Sequence, residues 1–242
     1  LRAVIVGPAG TPYHDGLFFF DFQFTDKYPN EPPKAYFHAH GRIFNPNLYP
    51  NGKVCLSLLN TWSGRENCEK WDPQRSTMLQ VLVSIQGLVM NAQPYFNEPG
   101  FERTRCTPQG EKNSLEYNHA VFFASCDQMT YWLQKPPMHF EVFVAYHFYT
   151  HGLNMAKACE ARSKECLQIY KVCFKKRADK VLKEYKAREV AYRKKFALKD
   201  KAGCTGGNDG TNSGVPNKAN NKLKCFCYYL LKLGKKLLPM GN

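Results

Sequence analysis

The sequence has few of the features that mark secreted, membrane-spanning or zinc-binding proteins. No apolar run approaches the roughly 20 residues that a membrane-spanning helix needs, and no signal-peptide pattern opens the chain. Its ten cysteines include no Cys-x-x-Cys pair and no Cys/His cluster with zinc spacing. We therefore expect reduced thiols, no bound metal or cofactor, no transmembrane segment, and a location in the cytoplasm or the nucleus.

Net charge is nearly absent from the first 150 of the 242 residues. They carry 12 Lys and Arg against 13 Asp and Glu, whereas residues 151–242 carry 22 against 7. The formal net charge of +14 therefore comes wholly from the C-terminal third. With 43% hydrophobic residues, a chain of this length can bury a sizeable core and still carry an extension.

The beginning of the sequence predicts an antiparallel β-meander. Residues 17–24 place four phenylalanines on one face of a half-buried strand: Phe18, Phe20, Phe22 and Phe24. Residues 2–6 and 35–40 predict neighbouring short strands, and Gly- and Pro-rich segments separate all three. Connections this short favour antiparallel neighbours.

Helical patterns follow the strands. Residues 78–90 and 138–151 repeat apolar side chains at helical spacing. Between them, residues 110–133 predict a helix with Thr107 as N-cap and Pro108 at the first position. Strands followed by helices indicate an α+β domain.

The basic C-terminal third predicts a helical extension and then a linker. Residues 153–200 are rich in Lys and Arg with sparse apolar positions, which predicts one long helix or a helical pair with a solvated surface. Cys159, Cys166 and Cys173 lie seven residues apart, a spacing typical of one buried helical stripe. Residues 201–242 begin as a flexible Gly/Asn-rich linker and end in a short basic apolar tail.

One cysteine lies in a constrained frame. Cys55 follows an Asn-Pro-Asn turn, in which Pro46 fixes its own φ and pushes Asn45 to an extended conformation. We expect this turn to aim the amide of Asn47 at a nearby group. A carboxamide beside a thiolate can stabilise the oxyanion of an attacked thioester. Spacing alone leaves a second interpretation open, with Cys55 as an apolar filler and Asn47 as a turn residue.

Six motifs together resemble the ubiquitin-conjugating enzymes. In chain order they lie at residues 7–18, 28–34, 45–47, 52–56, 71–73 and 84–88. The Asn-Pro-Asn form, the insertion at 61–70 and the Lys-Pro-Pro sequence at 135–137 are similar to the large hybrid conjugating-enzyme/ligase branch, which includes plant phosphate-regulator-like members.

The resemblance implies the ubiquitin-conjugating (UBC) fold, an α+β fold with a four-stranded antiparallel meander flanked by helices. On this chain the catalytic core would span residues 1–152 without the family's N-terminal helix. The basic helical C-terminal extension would span 153–200, and the linker and tail 201–242.

The resemblance also implies acyl transfer through a covalent intermediate. A ubiquitin-activating enzyme, which consumes ATP, would pass ubiquitin to Cys55 as a thioester, and a lysine of a protein substrate would then attack it. Asn47 matches the asparagine that supports the oxyanion and the active-site loop, and Glu98 falls near the family's acidic gate. Asn45 replaces a histidine that mainly braces the loop. The hybrid branch adds built-in ligase activity.

Three alternatives remain open from the sequence. The same scaffold serves non-catalytic ubiquitin-binding variants, although these lack the active-site cysteine, and conjugating enzymes for the modifiers SUMO and NEDD8. The basic C-terminal third favours a third alternative, a binder of nucleic acid or of acidic membranes with the first domain as passenger. That same region also predicts contacts with acidic patches on ubiquitin or on substrates.

Overall fold

A three-stranded sheet opens the chain. Strands β1 (Arg2–Val6), β2 (Leu17–Gln23) and β3 (Lys34–Phe37) pair antiparallel in the order β1-β2-β3. The predicted meander is therefore confirmed. The computed structural model describes residues 1–62, 69–166 and 168–202, without the side chains of 165, 169 and 197–202.

The expected fourth strand does not form as a regular element among the described residues. Its segment makes only isolated antiparallel bridges, which pair Tyr36 with Lys53 and Leu48 with Val54. The reason is a tight turn in which the Tyr49 N–H donates to the Lys53 carbonyl at 2.9 Å. Because the chain reverses here, its contact with β3 is short: Lys53 bridges Tyr36, and the Phe37 N–H donates to the Gly52 carbonyl at 2.8 Å.

Strand β2 is buried on both faces rather than on one. Phe18, Phe20 and Phe22 face one cluster with the buried residues of the next helix, as the alternation predicted. Leu17 and Phe19 face a second cluster, formed with the C-terminal helices. The sheet is thus a central layer between two sets of helices, and Phe24, beyond the end of β2, is exposed.

The first two helices begin where the sequence predicts. Helix α1 (Met78–Ser84) starts at a capping box, in which the Thr77 side chain accepts from the Gln80 N–H and the Gln80 side chain accepts from the Thr77 N–H. A π-helical turn, Ile85–Val89, continues it. Helix α2 (Pro108–Gln134) is capped by Thr107.

The third helix is longer than predicted. Helix α3 (Glu141–Glu165) continues beyond residue 151, and helix α4 (Gln168–Ala202) follows after a break at Cys166. Gly152 lies within the helix, where the absence of a side chain allows close packing. A Cβ atom at this position would lie 3.0 Å from the side chain of Tyr185 and 3.2 Å from that of Phe148. The predicted boundary at residue 152 therefore falls inside α3, and the functional division there stays a prediction.

Helix α4 packs onto the protein instead of being solvated all round. Its Phe174, Ala178 and Val181 are buried in the second cluster, and Arg177 forms an ion pair with Asp127 of α2 at 2.8 Å. One compact unit accordingly extends over Leu1–Lys201. The linker and tail predicted for 201–242 lie, apart from the last helical residues 201 and 202, outside the described residues.

The predicted stripe of three cysteines is wrong. Cys159 is fully buried on α3, with its Sγ 3.5 Å from the Sγ of Cys126 on α2. Cys166 and Cys173 are only half-buried, because the helix breaks between them and each belongs to a different element. Of the described helices, none combines the length and apolar character needed to cross a membrane.

Candidate active site

A short hairpin positions the cysteine of interest. Leu48 and Val54 form its bridge and are buried in the first cluster. The Cys55 N–H donates to the Asn47 carbonyl at 2.8 Å, so these two residues lie directly opposite each other. Side chains alternate along extended segments, so Asn47 and Cys55 project away from the side that holds Leu48 and Val54.

Asn45 fixes this hairpin to the core. It is 2% exposed, and its Nδ2 donates to the Tyr13 hydroxyl at 2.8 Å and to the Val89 carbonyl at 2.7 Å. Its Oδ1 accepts from the Asn47 N–H at 2.8 Å and from Asn97 Nδ2 at 3.2 Å. Burying an amide costs free energy unless its hydrogen bonds are made. The hydrogen bonds of Asn45 therefore stabilise one conformation of the hairpin. The sequence predicted that the replacement at Asn45 would affect the stability of the loop, and in the structure Asn45 itself braces the loop.

The amide of Asn47 is aimed at the cysteine. Its Nδ2 donates to the Cys55 carbonyl at 3.1 Å, which confirms that the turn directs this amide toward a neighbouring group. An amide nitrogen carries two hydrogens, so one further donor position remains beside Cys55. Oxyanion support by Asn47 needs that second donor and stays a prediction.

A small cavity opens at the cysteine. It has a volume of about 220 Å³ and is lined by Asn47, Cys55, Leu56, Ser57, Trp62, Leu88, Val89 and Asn97. This volume is below the roughly 300–1,000 Å³ of typical small-molecule sites. Leu88, 70% exposed, and the partly exposed Trp62 form an apolar wall. The shape favours a narrow chain that approaches from outside, such as an extended peptide end.

Glu98 directly follows Asn97, a residue of the cavity wall, in the chain. It follows the 3₁₀ turn Pro94–Asn97. Burial and then the Glu98 charge raise the pKa of Tyr117 to about 12. The Cys55 charge, a hydrogen bond with that thiol, burial and lastly the Glu98 charge raise the pKa of Tyr49. Among the described residues, no hydrogen bond joins Glu98 to Cys55, so its role as acidic gate stays a prediction.

Two residues at this site were missed by reasoning from the sequence. Tyr49 pairs with Lys53 across the turn, on the hairpin face of Cys55, and the Cys55 charge is the largest cause that raises the pKa of its hydroxyl. Asn97 lines the cavity, and its Nδ2 donates to the Val89 carbonyl at 3.0 Å. The alternation of the hairpin, which puts Tyr49 on the face of Asn47 and Cys55, was the available signal for the first. No feature of the amino-acid sequence pointed to Asn97 apart from its position next to Glu98.

The arrangement suits nucleophilic acyl chemistry. It joins a thiol and an amide donor in the wall of one cavity, and Glu98 follows Asn97 of that wall in the chain. In the part of the chain that the structure describes, no group of three or more His, Cys, Asp or Glu side chains is placed to hold a metal ion.

Comparison with known proteins connects this geometry to a family. The family model described as "Ubiquitin-conjugating enzyme" matches residues 1–139, which include the sheet, the hairpin and the cavity. An Arabidopsis thaliana protein, "Probable ubiquitin-conjugating enzyme E2 23", is 57% identical over 164 residues, covering 68% of this chain and 15% of that protein. A second Arabidopsis protein, "Putative ubiquitin-conjugating enzyme E2 38", is 56% identical over 161 residues, covering 66% of this chain and 49% of its own length.

A relative of the hybrid branch also matches. The human "Dual E2 ubiquitin-conjugating enzyme/E3 ubiquitin-protein ligase BIRC6" is 46% identical over 164 residues, covering 66% of this chain and 3% of that protein. The chain thus spans no more than about half the length of these relatives. The matched segment contains every element that builds the cavity, including Cys55 and Asn47. The chain belongs to the ubiquitin-conjugating enzyme family.

Proposed function

We propose that this chain transfers ubiquitin through a thioester on Cys55. The observation that carries the proposal is the hairpin that pairs Cys55 with Asn47 at a narrow surface cavity, inside the segment matched by the family model. The Cys55 thiolate attacks the C-terminal carbonyl carbon of ubiquitin, which the activating enzyme presents as a thioester. The new C–S bond forms, the C–S bond to the activating enzyme breaks, and that enzyme's thiolate leaves. A substrate lysine then attacks the same carbon, the C–N bond forms, and the sulfur leaves as thiolate.

Asn47 and Glu98 would act at the second step. The tetrahedral intermediate carries a negative oxygen, and the free amide hydrogen of Asn47 lies on the Cys55 face of the hairpin. The Glu98 charge raises the pKa of Tyr49, and a carboxylate at this edge of the site would orient the incoming ammonium and accept its proton. Both groups would thus serve transfer from Cys55 more than its loading.

The partners follow from this reaction. They are ubiquitin, a ubiquitin-activating enzyme that consumes ATP, and protein substrates with acceptor lysines, in the cytoplasm or the nucleus. This chain would bind no cofactor of its own. The match with a dual conjugating enzyme and ligase supports built-in ligase activity. The basic C-terminal region, with 22 Lys and Arg in residues 151–242, would attract acidic surfaces of these partners.

A loading assay tests the proposal. The chain is incubated with ubiquitin-activating enzyme, ATP and ubiquitin, and a ubiquitin adduct that thiols remove is measured on a gel. Cys55→Ala should abolish the adduct, whereas Cys106→Ala, at an exposed cysteine outside the cavity, should leave it. Cys55→Lys should give an adduct that thiols do not remove. Loading that persists in Cys55→Ala, or that occurs only with a SUMO or NEDD8 system, would contradict the proposal.

Asn47→Ala separates the two steps. We expect normal loading and a transfer rate to free lysine lower by about 100- to 1,000-fold, the range typical of a lost oxyanion donor. Asn51→Ala, at an exposed residue of the same hairpin, is the matched control. Equal transfer rates in the two variants would remove Asn47 from the mechanism.

A further inference from the structure

The hairpin places a lysine next to the thiol. Lys53 precedes Cys55 by two residues, and residues two apart in an extended segment project to the same side. Lys53 is exposed, while the thiol of Cys55 forms part of the cavity wall. An amine and a thioester carrier thus share one face of one short segment.

Tyr49 lies against the lysine. The Nζ of Lys53 is 5.5 Å from the centroid of the Tyr49 ring, a cation–π distance. Tyr49 pairs with Lys53 across the turn and so shares the hairpin face of Cys55, whose charge is the largest cause that raises the pKa of the Tyr49 hydroxyl. The lysine amine thus lies on the face of the hairpin that carries the thiol.

The backbone of Lys53 is fixed from two sides. Its carbonyl accepts from the Tyr49 N–H at 2.9 Å, and its other edge bridges to Tyr36 of β3. The ring of Tyr36 covers Gly52, which has φ +93°, and a Cβ on Gly52 would lie 2.1 Å from that ring. Only glycine fits there. Because these contacts fix the backbone of the turn, the Cα of Lys53 has one position. The position of its amine therefore depends on the side-chain torsion angles of Lys53.

Lys53 is not neutralised by a carboxylate. The ion pairs of the described residues include Lys27 with Glu31 on the surface and Arg2 with Asp21 across β1 and β2, but none to Lys53. Its amine is therefore available to a carbonyl held on the neighbouring sulfur.

We propose that Lys53 is an internal ubiquitin acceptor, modified by transfer from the thioester on Cys55 of the same chain. The inference rests on the proposed function. The Lys53 ammonium first loses a proton to water or to the Glu98 carboxylate. The neutral amine then attacks the thioester carbon, the C–N bond forms, the C–S bond breaks, and the thiolate takes a proton from solvent. No oxidant, reductant or further reactant is needed.

The experiment uses the full chain, activating enzyme, ATP and lysine-free ubiquitin, so that only the chain offers acceptor lysines. Two products are followed: the adduct removed by thiols, and the adduct that resists them. Lys53→Arg keeps the positive charge and the contact with Tyr49, but a guanidinium stays protonated and is not a nucleophile. Lys34→Arg, at an exposed lysine of β3, is the matched control.

We expect the thiol-resistant adduct to fall at least about tenfold in Lys53→Arg and to persist in Lys34→Arg, with a thiol-sensitive adduct in both. Tryptic peptides should carry the Gly-Gly remnant on Lys53. The rate should not depend on chain concentration, and a tagged Cys55→Ala chain added as acceptor should stay unmodified. An unchanged resistant adduct in Lys53→Arg overturns the inference and leaves the proposed function intact. Absence of the thiol-sensitive adduct overturns both.

Discussion

The packing of α4 against the rest of the protein makes the sharpest test of this structure. Phe174 is fully buried, and its ring lies 4.6 Å from that of Phe123, 5.4 Å from His119 and 6.0 Å from Phe122. Phe174→Ala removes these contacts and leaves a cavity, which typically costs about 3–5 kcal/mol. For a protein of this size each kcal/mol shifts Tm by about 2–4 °C, so the melting temperature should fall by about 10 °C.

The matched control is Val172→Ala on the same helix, two residues away. Val172 is 57% exposed, and surface changes of this kind usually stay within about 0.5 kcal/mol. Urea unfolding followed by circular dichroism gives the free energy of unfolding of both variants. Equal free energies for Phe174→Ala and Val172→Ala would show that α4 is a solvated extension, as its Lys-rich sequence suggested, and would refute the packed arrangement.

Two further outcomes concern the hairpin and pH. Asn45→Ala leaves buried hydrogen-bonding partners unsatisfied, so the free energy of unfolding should fall by about 2–3 kcal/mol, and amide hydrogen exchange should rise in residues 45–55. The exposed Asn51→Ala removes one acceptor, for the Lys53 N–H at 3.1 Å, so it should raise exchange at residue 53 alone. Equal exchange across residues 45–55 in both variants would contradict the bracing role. Burial lowers the pKa of His147 to about 4. The hydrogen bond between the His147 ring and the Asp15 carbonyl, at 2.8 Å, raises this pKa but does not offset the effect of burial. Folding therefore favours the neutral form of His147. Its contribution to the free energy of unfolding, up to about 3 kcal/mol, is complete above pH 6.5 and is lost as the pH falls toward 4. His147→Gln should flatten that slope in urea unfolding at pH 7, 6 and 5, and an unchanged slope would contradict the assignment.

The local elements and the frame around Cys55 are visible in the amino-acid sequence without a structure. The phenylalanine alternation of β2 and the capping threonines at 77 and 107 act through neighbours a few residues away, so their patterns are visible without a fold. The same is true of the frame around Cys55 and Asn47, because the Asn-Pro-Asn turn and Gly52 restrict the backbone locally. Their pairing across the hairpin follows from that restriction.

Features that depend on contacts between residues far apart in the chain are visible only in the folded structure. Whether the helix ends at Gly152, and whether the Lys-rich α4 buries a face, depend on contacts with Phe148, Tyr185 and the far side of the sheet. From the sequence alone, the few apolar residues of a basic helix do not show which part of the protein they will pack against. In the same way, the reduction of the fourth strand to isolated bridges and the contact of the Lys53 amine with the Tyr49 ring depend on how one turn packs on β3. Contacts that join residues far apart in the chain are fixed only once the layers have packed.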